Sequence, residues 1–116
     1  MHRQRDIVLI PVPFSDLSSI KKRPVIVLSN DSYNSHSDDI LVAAVTSRIQ
    51  KTRYSMTINQ HDIETGFIRV ESMVRTDKIY SLNKAIVQKK IGRVKREPFQ
   101  RLVELICELI ELPKMK

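Results

Sequence analysis

The sequence predicts a mainly β domain, a small and strongly curved barrel with a C-terminal helix. Several short runs rich in Val and Ile read as strands, Ser, Asn, Asp and Pro clusters separate them, and one amphipathic stretch lies near the end. Only Gly66 and Gly92 supply glycine, so the turns of such a barrel must rest on Ser, Asn and Pro.

The strands follow in order. Asp6 to Val12 alternates, with Ile7, Leu9 and Pro11 on one side, and Pro11 and Pro13 are expected to stop it. Phe14 to Lys22 reads as a loop. Pro24 to Ser29 is a second strand, apolar throughout Val25, Ile26 and Val27 and therefore covered on both faces, with Pro24 as its first residue. Asn30 to Asp39 is a loop with one helical turn, because Asn, Ser and Asp compete with the backbone for hydrogen bonds. Ile40 to Thr46 is a central third strand, and Tyr54 to Ile58 a half-exposed further one. Asn59 to Gly66 reads as a polar excursion, and Phe67 to Lys78 as one or two short strands around Val70, Met73 and Val74. Leu82 to Lys84 turns into a basic strand over Ala85 to Val94. The helix is expected from Pro98, at its first position, to Leu112. Phe99, Leu102, Val103, Ile106, Leu109 and Ile110 form its stripe. Leu105 and Cys107 fall off that stripe and hint at a second covered side, for which another subunit is a candidate.

Residues 1–116 read as a single domain, large enough to bury a core without staples. One cysteine excludes an internal disulfide, and no Cys/His spacing resembles a zinc site. No leader is evident and no apolar run approaches the roughly 18 residues of a membrane span, so a cytoplasmic protein is expected. The net charge of +7 favours a polyanionic partner. Aromatics make up only 5% of the chain, which argues against bases stacking on a sheet face as the reason for that charge.

Chemistry is sparse. His2, His36 and His61 all fall in arm or loop segments, so a two-histidine ribonuclease mechanism is not available. No glycine loop cradles phosphate, and Asp38-Asp39 does not make a Mg²⁺ cluster. Two places remain. The run Lys21-Lys22-Arg23 leads into the second strand, where a guanidinium can be aimed at phosphate. Thr46-Ser47-Arg48 closes the third strand with two hydroxyls and a cation. If these strands pair antiparallel, the start of one meets the end of the other, and Arg23 and Thr46 share a rim. The plain alternatives are a solvated basic loop and a strand cap.

The ordered segments Asp6-Ile7-Val8, Lys22-Arg23-Pro24-Val25-Ile26-Val27, Ser29-Asn30-Asp31, Val42-Ala43-Ala44-Val45-Thr46-Ser47, Asp77-Lys78-Ile79 and Lys90-Ile91-Gly92-Arg93 resemble the MazF/PemK toxins of bacterial toxin–antitoxin systems, from about Arg5 to Leu112. The resemblance implies an SH3-like barrel of the CcdB/MazF type and a homodimer. It implies a metal-independent endoribonuclease, without cofactor, that cuts single-stranded RNA by 2′-OH attack on phosphorus. It also implies a cognate antitoxin whose acidic, disordered tail lies in the RNA groove. The arginine before the proline and the threonine closing the third strand carry catalysis in that family, which are Arg23 and Thr46 here. Asn30 and Ser47 match RNA-touching positions. Phe14 is a candidate stacking platform or a core residue, and Lys22 and Arg48 are candidate RNA-binding residues.

This chain departs from the family in three places. Arg5 stands where a glycine is usual, the first loop lacks its glutamate, and Ser72 replaces a glutamine after Glu71. A non-catalytic barrel that binds RNA, or a protein target such as DNA gyrase, is the alternative. Gyrase poisons of this architecture resemble it but end in a Trp-Gly-Ile-type tail, whereas this chain ends Leu112-Pro113-Lys114-Met115-Lys116 without tryptophan.

Overall fold

The computed structural model describes residues 2–13 and 20–114. Among these described residues, seven strands form one antiparallel sheet in the order β4-β6-β3-β2-β1-β7-β5, curled into a half-barrel. They are β1 (Asp6–Pro13), β2 (Ile20–Val27), β3 (Asp39–Thr46), β4 (Met56–Ile58), β5 (Ile63–Gly66), β6 (Ser72–Asn83) and β7 (Lys89–Val94), with helices α1 (Asp31–His36) and α2 (Arg96–Leu109). Two apolar clusters cover opposite faces. Ile7, Ile26, Ala43, Val45 and Val74 pack with Phe99 and Leu102 of α2. Val8, Ile10, Val25, Val27, Ile40 and Val42 pack on the other side with Leu82 and Val87. The alternation of β2 between the two clusters is the period-2 geometry of a strand buried on both faces. Each such Val or Ile contributes on the order of 1.5–3 kcal/mol of burial.

The expected second and third strands are present and central, but several boundaries move. Pro11 does not stop β1, which continues to Pro13. The β7 ladder on that side ends at Leu9, so the missing N–H of Pro11 faces no β7 partner. Ile7 and Val8 lie in opposite clusters, so β1 is buried on both faces rather than one. Pro24 is not the first residue of β2. The strand begins at Ile20, while β3 pairs only with Val25 to Val27, so that ladder starts after the proline. Ile63–Gly66, expected as part of a polar excursion, is a strand held by β7. Ser72–Asn83 is one long strand rather than two short ones, and β7 starts only at Lys89, after a 3₁₀ turn over Lys84–Ile86. The fourth strand is shorter than expected, Met56–Ile58.

In α2, Pro98 is the third helical residue, after Arg96 and Glu97. The first four N–H groups of a helix have no intrahelical acceptor, so proline is tolerated there too. Leu105, expected off the stripe, is buried with Phe99 and Leu102, whereas Ile110 is 76% exposed. The hint that Leu105 faces another subunit is therefore withdrawn, because its own protomer covers it. Cys107 is exposed.

The single helical turn expected after Asn30 is α1. Asn30 caps it, its side-chain oxygen accepting from Tyr33 N–H at 2.8 Å. Asn34 is fully buried in α1. Its Oδ1 accepts from Ser29 Oγ, its Nδ2 donates to Ser29 O, and its carbonyl accepts from Lys84 Nζ at 2.6 Å. Ser29 Oγ in turn accepts from Leu41 N–H. This buried chain of polar groups fastens the end of β2 to β3 and to the turn before β7.

Arg5 has φ +79, the left-handed region, which explains why a glycine suits this position in the resembling family. Its N–H donates to Val27 O and its carbonyl accepts from Val94 N–H, so the neighbouring strand ends impose the conformation. Its guanidinium donates to Val94 O at 2.9 Å and to Glu64 Oε1 at 3.2 Å. On β6, Ala44 faces Arg75 while Ala43 faces Ile79, so Thr76 to Lys78 bulge from the ladder. Arg75 clips the bulge by bidentate bonds of 2.8 and 2.9 Å to Asp77. That hydrogen bond holds the Asp77 carboxyl below its ordinary pKa, and the same contact raises Arg75.

Two outcomes follow. Arg5→Ala keeps the left-handed strain and loses the side-chain bonds, whereas Arg5→Gly loses the bonds but relieves the strain. Urea unfolding should rank Arg5→Gly above Arg5→Ala by about 1 kcal/mol, and equal stabilities would show that φ +79 is unstrained. Asp77 has a lowered folded pKa, so its contribution is present above the unfolded value and lost as pH falls through the folded one. Carboxyl NMR should find Asp77 titrating below its ordinary value, and Arg75→Gln should move it upward. An unmoved titration would show that the clip does not form in solution.

Candidate nucleic-acid groove and phosphate-handling pair

The cores of the two faces determine where the polar strand ends emerge. Val25 faces Ala44, Ile26 faces Ala43 and Val27 faces Val42 across β2 and β3. Continuing this register by two residues sets Arg23 opposite Thr46, and cross-strand partners leave the same face of a sheet. β2 and β3 do pair antiparallel, as the expected rim requires, with the paired register ending at Val25 and Ala44. Arg23 is half-buried, and among the described residues no carboxylate pairs with it. Thr46 Oγ1 accepts from Arg48 N–H at 3.1 Å. The strand-cap role is thus real, yet it uses only an acceptor site. The Thr46 O–H proton remains available to donate.

A groove of about 690 Å³ opens beside this rim. Ile7, Leu9, Pro24, Val45, Ile58 and Ile91 make its floor, the segment 66–70 makes one wall, and Ser47 closes the β3 end. Lys22, Arg23, Arg69, Lys89 and Lys90 border it, and among the described residues no carboxylate does. A concave apolar surface ringed by one sign of charge concentrates its field on a ligand of the opposite sign. By strand alternation Lys22 and Pro24 share the floor's face with Ile26. Arg23 and Thr46 share the other face with Val25, so they stand at the lip.

The candidate residues thus divide. Lys22, Arg23 and Ser47 border one groove, with Thr46 between its lining neighbours Val45 and Ser47. Arg48 is exposed beside them, and its backbone N–H is the group that engages Thr46. Asn30 is not brought to this rim. It lies beyond the opposite end of β2, where its amide oxygen is committed to capping α1. Phe14 lies outside the described residues. Of the basic strand, Lys90 sits 3.2 Å from buried Asp6, and Arg93 is buried 3.8 Å from Glu64. Both therefore serve the protein's own ion pairs.

Sequence reasoning missed the wall. Phe67 is 65% exposed and Val70 55% exposed, although both were expected in or beside strands. The available signal was Gly66-Phe67 directly after a polar run, where an aromatic has no alternating partner. Ser72, which replaces the family's glutamine, is buried and donates to Val70 O at 3.1 Å, so it braces the wall from behind.

Comparison with known proteins agrees with this fold. Residues 3–110 match the family described as PemK-like, MazF-like toxin of type II toxin-antitoxin system. The chain is 30% identical over 101 residues to the endoribonuclease EndoA of Bacillus subtilis strain 168, covering 82% of this chain and 86% of that one. It is also 30% identical over 96 residues to the endoribonuclease MazF of Staphylococcus saprophyticus, covering 78% and 76%. In fold it is similar to a mycobacterial endoribonuclease solved in complex with its cognate antitoxin, with a TM-score of 0.78 at 16% identity over 99% of this chain and 100% of that one. The chain belongs to the PemK-like, MazF-like toxin family of type II toxin–antitoxin systems.

Proposed function

We propose that this protein is a metal-independent endoribonuclease toxin that cleaves single-stranded RNA in the cytoplasm. The observation that supports the reading is the β2–β3 register, which continued by two residues would set Arg23 opposite Thr46, beside a groove whose described lining carries cations and no carboxylate. The RNA's own 2′-OH attacks the adjacent phosphorus while the 5′-oxygen of the next nucleotide departs. The products are a 2′,3′-cyclic phosphate and a 5′-OH end. A flexible single strand can bring nucleophile and leaving oxygen into line, whereas a stacked duplex holds them apart. Charge gathers on the non-bridging oxygens during attack. The Arg23 guanidinium stabilises that charge through its planar donor fork, and the Thr46 hydroxyl donates to the same phosphate. Lys22 and Lys89 hold the flanking phosphates by charge rather than by sequence.

Regulation fits the same surface. The mycobacterial fold relative was solved with its cognate antitoxin. For this chain the partner we propose is an antitoxin with an acidic, disordered tail that competes with RNA for the cationic groove. The active form is a homodimer, as the family resemblance implies.

Purified protein in excess EDTA should cut single-stranded RNA and leave 5′-OH ends. Arg23→Ala should lower the rate by about 10²-fold or more and Thr46→Ala by about tenfold, with circular dichroism unchanged. Intact RNA from folded protein, or cleavage that EDTA abolishes, would overturn the proposal.

A further inference from the structure

We propose that Phe67 is a base-stacking platform of this groove, an inference that rests on the single-stranded RNA reading above. Exposed phenylalanines on flexible loops mean little, but this one is held. Gly66 has φ +80 and faces Gly92 across β5 and β7, and a Cβ added there would drive into Ile91 O and Gly92 Cα. Only glycine permits this approach, and it brings the chain directly onto β7. Phe67 N–H then donates to Ile91 O at 3.2 Å. Gln60 clamps the flanking peptides from outside, its Nε2 donating to Gly66 O at 3.2 Å and its Oε1 accepting from Ile68 N–H at 2.9 Å. The backbone on both sides of Phe67 is therefore fixed while the ring is 65% exposed to solvent.

The surroundings specify what the ring meets. Phe67 borders the groove with Lys22, Arg69 and Lys89, and among the described residues no carboxylate lines that groove. An aromatic face beside a track of cations is the general arrangement by which proteins hold single-stranded nucleic acid. The cations follow the phosphates and the ring takes a base, with little dependence on which base it is. A pre-positioned ring loses little freedom on stacking. Phe67 thereby sets the register of the strand, bringing one base to the wall and the neighbouring phosphate toward the lip where Arg23 and Thr46 stand.

The probes are 2′-O-methyl RNA strands of about ten nucleotides, a length within the usual range of single-strand grooves, used with the full chain. They cannot undergo 2′-OH attack, so binding is read apart from cleavage. Phe67→Ala and Phe67→Leu should each weaken binding by about tenfold, while Phe67→Trp should retain it. The chain has no other tryptophan, so quenching of the new indole on binding reports stacking directly. Walking one abasic site along the strand should find a position that weakens binding to the wild type but not to Phe67→Ala. Full-strength binding by Phe67→Ala, or an indole that the strand leaves unquenched, would overturn the stacking role. So would a change of oligomeric state in Phe67→Ala, since the ring would then be a subunit contact. Loss of affinity only for an acidic peptide would overturn it too, because the groove would then read protein. The two proposals fail separately. Cleavage by wild type with Phe67→Ala unaffected removes the stacking role alone. Stacking without cleavage removes the ribonuclease reading alone.

Discussion

The antiparallel register of β2 on β3 is the constraint on which the rest of the molecule depends. Val25 and Val27 supply one apolar cluster and Ile26 the other, so a slip of one residue would exchange the two faces. Neither face can accept that exchange, because each is packed against different partners. Continued two residues past its last pair, Val25 and Ala44, the same register would bring a guanidinium across from a hydroxyl. The candidate chemistry is therefore a geometric product of the core.

Electrostatics then divide the cations into two groups. Lys90 and Arg93 face the buried carboxylate of Asp6 and the half-exposed Glu64, where ionic contacts offset part of the cost of burial. Lys22 and Lys89 remain exposed on the groove's border. A formal charge of +7 thus overstates what is offered to a ligand and understates its focus. What matters is that the described lining of the groove holds several cations and no counter-charge.

Much of this was legible in the chain itself. The apolar run Val25-Ile26-Val27, the central β3 and the terminal helix all follow from short-range pattern, and Arg23 and Thr46 follow from the ends of those runs. The misses have specific causes. Pro11 and Pro24 end strands only where a neighbour needs their N–H, and which neighbour lies alongside is a tertiary fact. Leu105 joined the buried side because the sheet covers more of α2 than one narrow stripe predicts. Ile63–Gly66 carries polar side chains and became a strand through backbone pairing with β7. Asn30 was expected at the site, yet local capping chemistry at α1 claimed it. The wall was hidden for the same reason as β5, since its position depends on a long-range contact between two glycines.

That contact has a consequence for how such a protein changes over generations. Gly66 and Gly92 hold the wall's backbone through their lack of side chains, and a replacement at Gly66 would meet main-chain atoms of Ile91 and Gly92. Phe67, Arg69 and Val70, in contrast, are exposed and carry none of the core. Drift at these three positions leaves folding stability nearly untouched while changing the shape and charge of the groove's border. The frame is closed to variation and its inner surface is open to it, so members of this family can remodel the groove's border without passing through an unfolded ancestor.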